Sequence, residues 1–517
     1  MAKPDDASRT RKRAKAWLAY YTISIAEISL AFVILFILQP YLYDLNALMG
    51  SSIGLQINYI LLFVLIAVVF IAWYIAAMVV CSRHLSRNEP ATPRRASVMM
   101  SILMLAGWNV IYVILADAAG EEIFIVLRFF EGISFYVYLV LNGIMFLFLV
   151  KLLPMIVRHA RGYARFTRKK RIVTISALCL IASSYAVAII LPFVATPPTI
   201  TDDPLPPKPL LIGHRGASDY APENTIVAAQ ESLQFGVVGW EIDVQVSYDG
   251  VLFLMHDDDL QRTTDVETIY PSLASLPACQ FNFSQIQALD AGSWFIDNDP
   301  YSTIAMGIVP RSKAESYRGT PIPTLQQAID FSEANNMILE IDLKSPPHGH
   351  PFHDTVRAMM LSNMTTSSLG KRAWVYTASA DAVNLTRLCT YNCSVESVLA
   401  KGYDMVNTDV NIPNSQLRDF YAHGIPTILY TVDNVETFFT LWTLGVTYVK
   451  TNRPWLFTSL VQPVPRMDIA QHAMFWMIFW IIGCTVVLLT LYLKSRGIFM
   501  NLVKSGGSRT TRAKSMQ

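Results

Sequence analysis

Residues 240–256 read WEIDVQVSYDGVLFLMH. Two carboxylates, Glu241 and Asp243, sit two apart inside an apolar, β-branched run. A turn signal follows at Tyr248-Asp249-Gly250, and a second apolar run ends on His256 and Asp257. Strand side chains alternate, so Glu241 and Asp243 project from the same face. Neighbouring carboxylates repel, and burying them is expensive. Acids that face solvent or an arginine avoid the problem. A divalent cation also solves it, and oxygen donors suit Ca²⁺ or Mg²⁺ better than zinc. Asp342, in the apolar run MILEIDLKS at 337–345, offers a third oxygen two positions before Lys344.

Around this stretch, strand patterns alternate with helix patterns. LLIGHRG (210–216) reads as a strand ending in glycines, and ENTIVAAQESLQFG (223–236) as a helix with a glycine stop. A loop-rich insertion at 265–320 precedes a helix near 324–336, the strand at 337–345 and a helix at 352–363. AWVYTAS (373–379) reads as a strand with a helix after it. YDMVNTD (403–409) and PTILYTVD (426–433) are strands, NVETFFTLWTLG (434–445) is a helix, and VTYVKTN (446–452) is the last strand. This rhythm over about 250 residues predicts a (β/α)8 barrel. A doubly wound sheet would alternate in the same way. The barrel is favoured because polar residues gather at the ends of many strands: His214 and Arg215, Glu241 and Asp243, His256, Asp342 and Lys344.

The rest of the chain belongs to a bilayer. Of 517 residues, 53% are hydrophobic and only 15% charged, where soluble proteins carry about 25% charged. Apolar windows at 17–38, 58–80, 97–116, 132–153, 172–195 and 471–493 are each long enough to cross roughly 30 Å of hydrocarbon. The expected organisation is a cytoplasmic N-terminus (1–16), five spans (17–195), a proline-rich extended linker (196–209), the barrel (210–456), a sixth span (471–493) and a basic tail (494–517). Basic residues crowd the N-terminus, the 82–96 and 154–171 loops and the tail, whereas the intervening loops carry Asp44, Asp117, Glu121 and Glu122. The positive-inside rule then puts both termini in the cytoplasm and the barrel on the opposite side. The sequons at Asn282, Asn363, Asn384 and Asn392 all fall in the barrel segment. An oxidising compartment would let two of Cys279, Cys389 and Cys393 pair. Glu27, Arg128 and Glu131 are ionisable groups in or near the spans; Arg128 and Glu131 are three apart and are expected to pair structurally. No nucleic-acid motif is present.

His214 and His256, at two strand ends with a cation site between them, suggest an acid and a base. Arg215 and Lys344 add positive charge, and the set fits phosphoryl chemistry. GHRGASDYAPENT (213–225), WEIDVQVSYDGVLFLMHDDDLQRTT (240–264) and GVTYVKTNRP (445–454) together resemble the glycerophosphodiester phosphodiesterase family. The layout resembles its six-span branch, with the catalytic domain between spans five and six. The resemblance implies His214 and His256 as general acid and base, Glu241 and Asp243 as metal ligands, and Arg215 and Lys344 as phosphate contacts. The family's Glu-x-Lys strand motif is here Asp342-Leu343-Lys344, with Glu340 as an alternative ligand. Its Thr-Asp-x-Pro is here Thr451-Asn452-Arg453-Pro454. Glu223 and Asn224 either cap a helix or meet substrate. The implied activity is hydrolysis of glycerophosphocholine, glycerophosphoinositol or a related diester at the plasma membrane. Phospholipase C-like cleavage of glycosylphosphatidylinositol anchors and an inactive binding protein are the alternatives.

Overall fold

The computed structural model describes residues 59–86, 98–109, 122–161, 166–379 and 382–495, with isolated positions in 17–28 and at 163. They fall into two units, Met1–Leu127 and Arg128–Gln517. In the first unit, α1 (Tyr59–Ser86) is long and apolar enough to cross a membrane, and Val98–Asn109 is a shorter apolar helix. The expected span at 17–38 lies largely outside the described residues, as does Glu27; the span at 97–116 is described only in part. The second unit adds three helices of crossing length: α2 (Glu122–Arg161, counted from Arg128), α3 (Arg168–Val194) and α10 (Ile469–Ser495).

These three pack on one another. Trp480 Nε1 of α10 donates to Asn142 Oδ1 of α2 at 3.2 Å, and Tyr185 OH of α3 donates to the Met145 carbonyl at 2.9 Å. Phe193 of α3 lies with its ring 5.6 Å from that of Trp480. Polar donors on apolar helices, where hydrocarbon would offer no partner, gain by bonding inside the protein, and these two do.

The barrel strands are β1 (Leu210–Gly213), β2 (Gly239–Val246), β4 (Ile338–Leu343), β5 (Ala373–Val375), β6 (Thr386–Cys389), β7 (Met405–Asp409), β8 (Thr427–Tyr430) and β9 (Tyr448–Thr451). All pair in parallel in the order β1-β9-β8-β7-β6-β5-β4-β2, and the β1–β2 pairing closes the cylinder. β3 (Leu252–Leu254) is antiparallel to the end of β2 and is not a barrel stave. The helices α4 (Ile226–Leu233), α5 (Leu325–Ala334), α6 (Val356–Thr366), α7 (Val395–Lys401), α8 (Asn414–Ala422) and α9 (Val435–Thr443) connect the staves. Two differences from the sequence reading stand out. The stave β6 is an additional strand, and no helix is described between β5 and β6. With two segments that short, the chain has no room for a helical turn signal, and TRLC alternates too briefly to read as a strand.

The barrel interior is layered. Ile212, Ile338, Trp374, Leu388, Met405, Ile428 and Tyr448 form an apolar floor. Two residues further along each strand the same inward face carries Glu340, Tyr376, Asn407 and Lys450. Lys450 Nζ of β9 reaches Glu340 Oε1 of β4 at 2.6 Å, and Tyr376 OH and Asn407 Nδ2 bond the same oxygen at 2.5 and 3.0 Å. β7 and β9 are not neighbours of β4, so Asn407 and Lys450 can meet Glu340 only inside the cylinder.

Candidate active site

The stretch 240–256 is a device for bringing a histidine back to the mouth. β2 runs past the barrel rim, turns at residues 247–251 and returns as β3, with Ser247 Oγ bonded to Asp249 and to the Val251 amide. The Met255 amide donates to the Asp243 carbonyl at 3.0 Å, which sets His256 beside Asp243. Gly250, at φ +87°, makes the turn, and an L side chain is disfavoured there.

Glu241 and Asp243 pair in register with Glu340 and Asp342 of β4. Glu241, Asp243 and Asp342 each offer an oxygen, all within 4.8 Å of one another. Burial pushes the Glu241 carboxyl up; burial, then the adjacent Glu241 charge, does the same to Asp243. The second Glu340 oxygen is buried without a hydrogen-bond partner among the described residues. Burial thus opposes the charges on this row, and the donors that converge are hard oxygens: the residues fit a divalent cation. Glu340, the alternative ligand, already holds Lys450. Burial works against the Lys450 charge, but the Glu340 carboxylate outweighs it and holds the amine above its usual range.

Arg215 and Lys344 bracket the acids. Arg215 Nε lies 3.3 Å from Asp243 and its Nη1 donates to Glu223 at 3.1 Å; Lys344 lies 3.2 Å from Asp243 and 2.8 Å from Asp342. Glu223 also takes both terminal nitrogens of Arg262, whose Nε bonds Asp257 at 2.5 Å. Burial raises the Glu223 carboxyl, but Arg215 and Arg262 prevail and hold it at about 2. Neither Glu223 nor Asn224 caps α4; Thr225 does. Asn224 instead pins Asp243, donating to Oδ2 at 2.9 Å and accepting from the Asp243 amide at 3.1 Å.

The histidines differ. His214 Nδ1 lies 2.7 Å from Asn452 Oδ1, and the Asn452 amide nitrogen donates to Asp433 at 2.7 Å. The amide oxygen can only accept, so His214 carries its proton on Nδ1 and its Nε2, 3.9 Å from Glu241, is the open acceptor. Burial, then the Arg215 and Lys450 charges, hold His214 at about 3, so it is neutral at physiological pH. His256 Nδ1 lies 2.7 Å from Asp257 Oδ1. Sequence reasoning saw no chemistry in Asn452 and did not single out Asp433, Arg262, Tyr376 or Lys450. Arg262 lies inside the 240–264 motif, but its partner Glu223 is 39 positions away.

Elsewhere, Cys389 and Cys393 are paired, and Cys279 is buried apart. Arg128 and Glu131 are not simply a pair: both bond Asn414.

Lys450 and Glu340 are 4% and 0% exposed, so removing one charge strands the other. Glu340→Gln is expected to lower stability by about 3–5 kcal/mol, while Glu340→Leu with Lys450→Met recovers most of it. The denaturation midpoint of the purified chain checks this; equal midpoints for wild type and Glu340→Gln refute it.

Residues 214–456 match the glycerophosphoryl diester phosphodiesterase family, so this barrel is a domain of that family. Among curated proteins, the chain is 29% identical over 305 residues to mouse (Mus musculus) glycerophosphoinositol inositolphosphodiesterase GDPD2, covering 58% of this chain and 56% of that protein. It is 30% identical over 326 residues to mouse glycerophosphodiester phosphodiesterase domain-containing protein 5, covering 61% and 53%. The chain thus spans little more than half the length of these relatives. A solved glycerophosphodiester phosphodiesterase from Agrobacterium tumefaciens is similar at 22% identity and TM-score 0.37, covering 49% of this chain and all of that one.

Proposed function

We propose that the chain is a membrane-anchored phosphoric diester hydrolase that cleaves glycerophosphodiesters at the barrel mouth. The observation that carries this is the convergence of three carboxylates, two basic side chains and two differently partnered histidines on one rim. The family assignment of residues 214–456 supports it. A divalent cation, Ca²⁺ or Mg²⁺, held by Glu241, Asp243 and Asp342 would supply charge stabilisation to the phosphate. Arg215 and Lys344 turn their remaining donors to the phosphate oxygens. His214, neutral with Nε2 open, takes the proton of the attacking hydroxyl, whether water or the neighbouring hydroxyl of the glycerol. His256 delivers a proton from Nε2 to the leaving oxygen, and Asp257 orients it. The substrate class is a glycerol-linked diester such as glycerophosphoinositol or glycerophosphocholine. The experiment is product analysis of the purified full chain against a panel of such diesters; no turnover of any member, with a divalent cation present, overturns the reading.

The barrel is proposed to lie outside the cytoplasm, at the plasma membrane, on the grounds of the basic loops and the grouped sequons. Asn282, Asn384 and Asn392 are exposed, whereas Asn363 is half-buried in α6 with its amide donating to the Met359 carbonyl. Enzymatic deglycosylation of the cell-expressed chain is expected to lower its mass, and Gln at each of the three exposed sites to remove part of that shift. An unchanged mass, with the barrel resistant to protease added outside intact cells, refutes the orientation.

A further inference from the structure

The βα loops that surround the site are also the place where a membrane-type helix is fastened to the barrel. Arg128, near the start of α2, donates from Nη1 to Asn414 Oδ1 at 2.6 Å and from Nη2 to the Ile412 carbonyl. Glu131, one turn on, accepts from Asn414 Nδ2 at 2.6 Å. Asn414 is therefore held by both its amide atoms, its oxygen by a cation and its nitrogen by an anion. The next residue, Gly132, abuts α9: a Cβ there would lie 2.8 Å from Glu436 Cβ and 3.0 Å from the Glu436 carbonyl oxygen.

Ile412 and Asn414 belong to the segment that leaves β7, and Glu436 to the segment that leaves β8. Both segments lie at the C-terminal ends of staves, the face that carries His214, Asp243 and Lys344. One turn of α2 thus grips two adjoining rims of the mouth. The grip uses a buried guanidinium, at 7% exposure. A charge placed at the end of a long apolar helix is costly unless its partners are specific. These partners are not on neighbouring spans but on the catalytic domain, some 280 residues further along the chain.

We propose that Arg128 and Glu131 are positioning residues for the phosphodiester reaction: through Asn414 they fix the rim after β7 against which the substrate seats. This rests on the proposed hydrolysis. It also gives α2 a second task beside crossing the bilayer, since its end becomes part of the frame of the mouth.

The test uses the full chain in lipid nanodiscs with glycerophosphocholine and glycerophosphoinositol, whichever is turned over. Arg128→Ala is expected to raise KM about tenfold or more, because small displacements of a positioning loop carry large kinetic costs, with kcat altered far less. Arg128→Lys, a cation without the fork needed to reach both acceptors, recovers only part. Asn414→Ala gives the same rise, and the double variant is no worse than either single, since all act through one contact. A variant that was merely partly unfolded would lose kcat at unchanged KM; that pattern, or wild-type KM throughout, overturns the proposal. If wild type turns over neither diester, the failure belongs to the proposed function, and hydrogen exchange over residues 410–416 still decides this one. Faster exchange in Arg128→Ala than in wild type supports the clamp; identical exchange overturns it.

Discussion

Glu241→Gln and Asp243→Asn are each expected to lose at least about 10³-fold in turnover while remaining folded, because the several kcal/mol of charge stabilisation that a divalent ion held there would supply disappears with its proposed ligands. The amides keep shape and hydrogen bonding: Glu241 still accepts from the Arg215 amide and Asp243 from Asn224. What they remove is charge, in a row where burial already opposes the carboxylates. Chelation of the wild type produces the same loss, and Ca²⁺ or Mg²⁺ restores it. The two amide variants do not respond to added ion. Full activity after prolonged incubation in excess chelator would sink the metal assignment, and near-wild-type turnover by either variant would remove that residue from it.

His214→Ala and His256→Ala are each expected to cost roughly 10²–10⁴-fold, the usual size of a general acid or base contribution. The double variant costs much less than the product of the singles if the pair works as a unit. Their environments assign the roles. His214 is enclosed, neutral and locked with Nε2 as the acceptor by Asn452 and Asp433. His256 sits on a returning hairpin, more exposed, against the Asp257 carboxylate. A nitrophenyl ester, whose leaving group needs no proton, should therefore rescue His256→Ala and leave His214→Ala impaired. Equal rescue of both, or rescue of His214→Ala alone, contradicts the assignment. Any bell-shaped pH profile belongs to the pair and not to one ring.

The parts of this site that a linear reading reaches are those encoded within a few residues. Glu241 and Asp243 share a face because strands alternate, and His214 and His256 close apolar runs. The same alternation misreads nothing in β4, where Ile338, Glu340 and Asp342 share one face. What escapes is pairing across the cylinder. Lys450 looks like a basic residue in an apolar strand until the closure of the barrel sets it against Glu340, 110 positions earlier. Asn452 looks like a lost charge. In the fold its neutral amide is the link that passes the Asp433 hydrogen bond to His214. Glu223 looks like a helix-start acid, yet it joins Arg215 to Arg262. The stave β6 escapes for a different reason: four residues carry too little pattern to stand apart from the loop before them. Four of the six apolar windows fall on described helices long and apolar enough to cross a membrane, and these are legible from composition because hydropathy depends on content and not on contacts.

Because β1 and β9 pair edge to edge, with Leu210 opposite Tyr448, the chain enters and leaves the barrel at one seam. Lys208 ties that seam, donating to the carbonyls of Phe457 and Leu460 at 2.7 and 2.8 Å. The helices on either side of the insertion, α3 and α10, meanwhile stay in contact through Phe193 and Trp480. The barrel is thus a cassette spliced into a turn between two touching helices. Its excision and replacement by a short polar bridge would leave the α3–α10 contact in place, whereas a barrel grafted from a relative at the same seam would also have to supply the partners of Arg128 and Glu131 on α2.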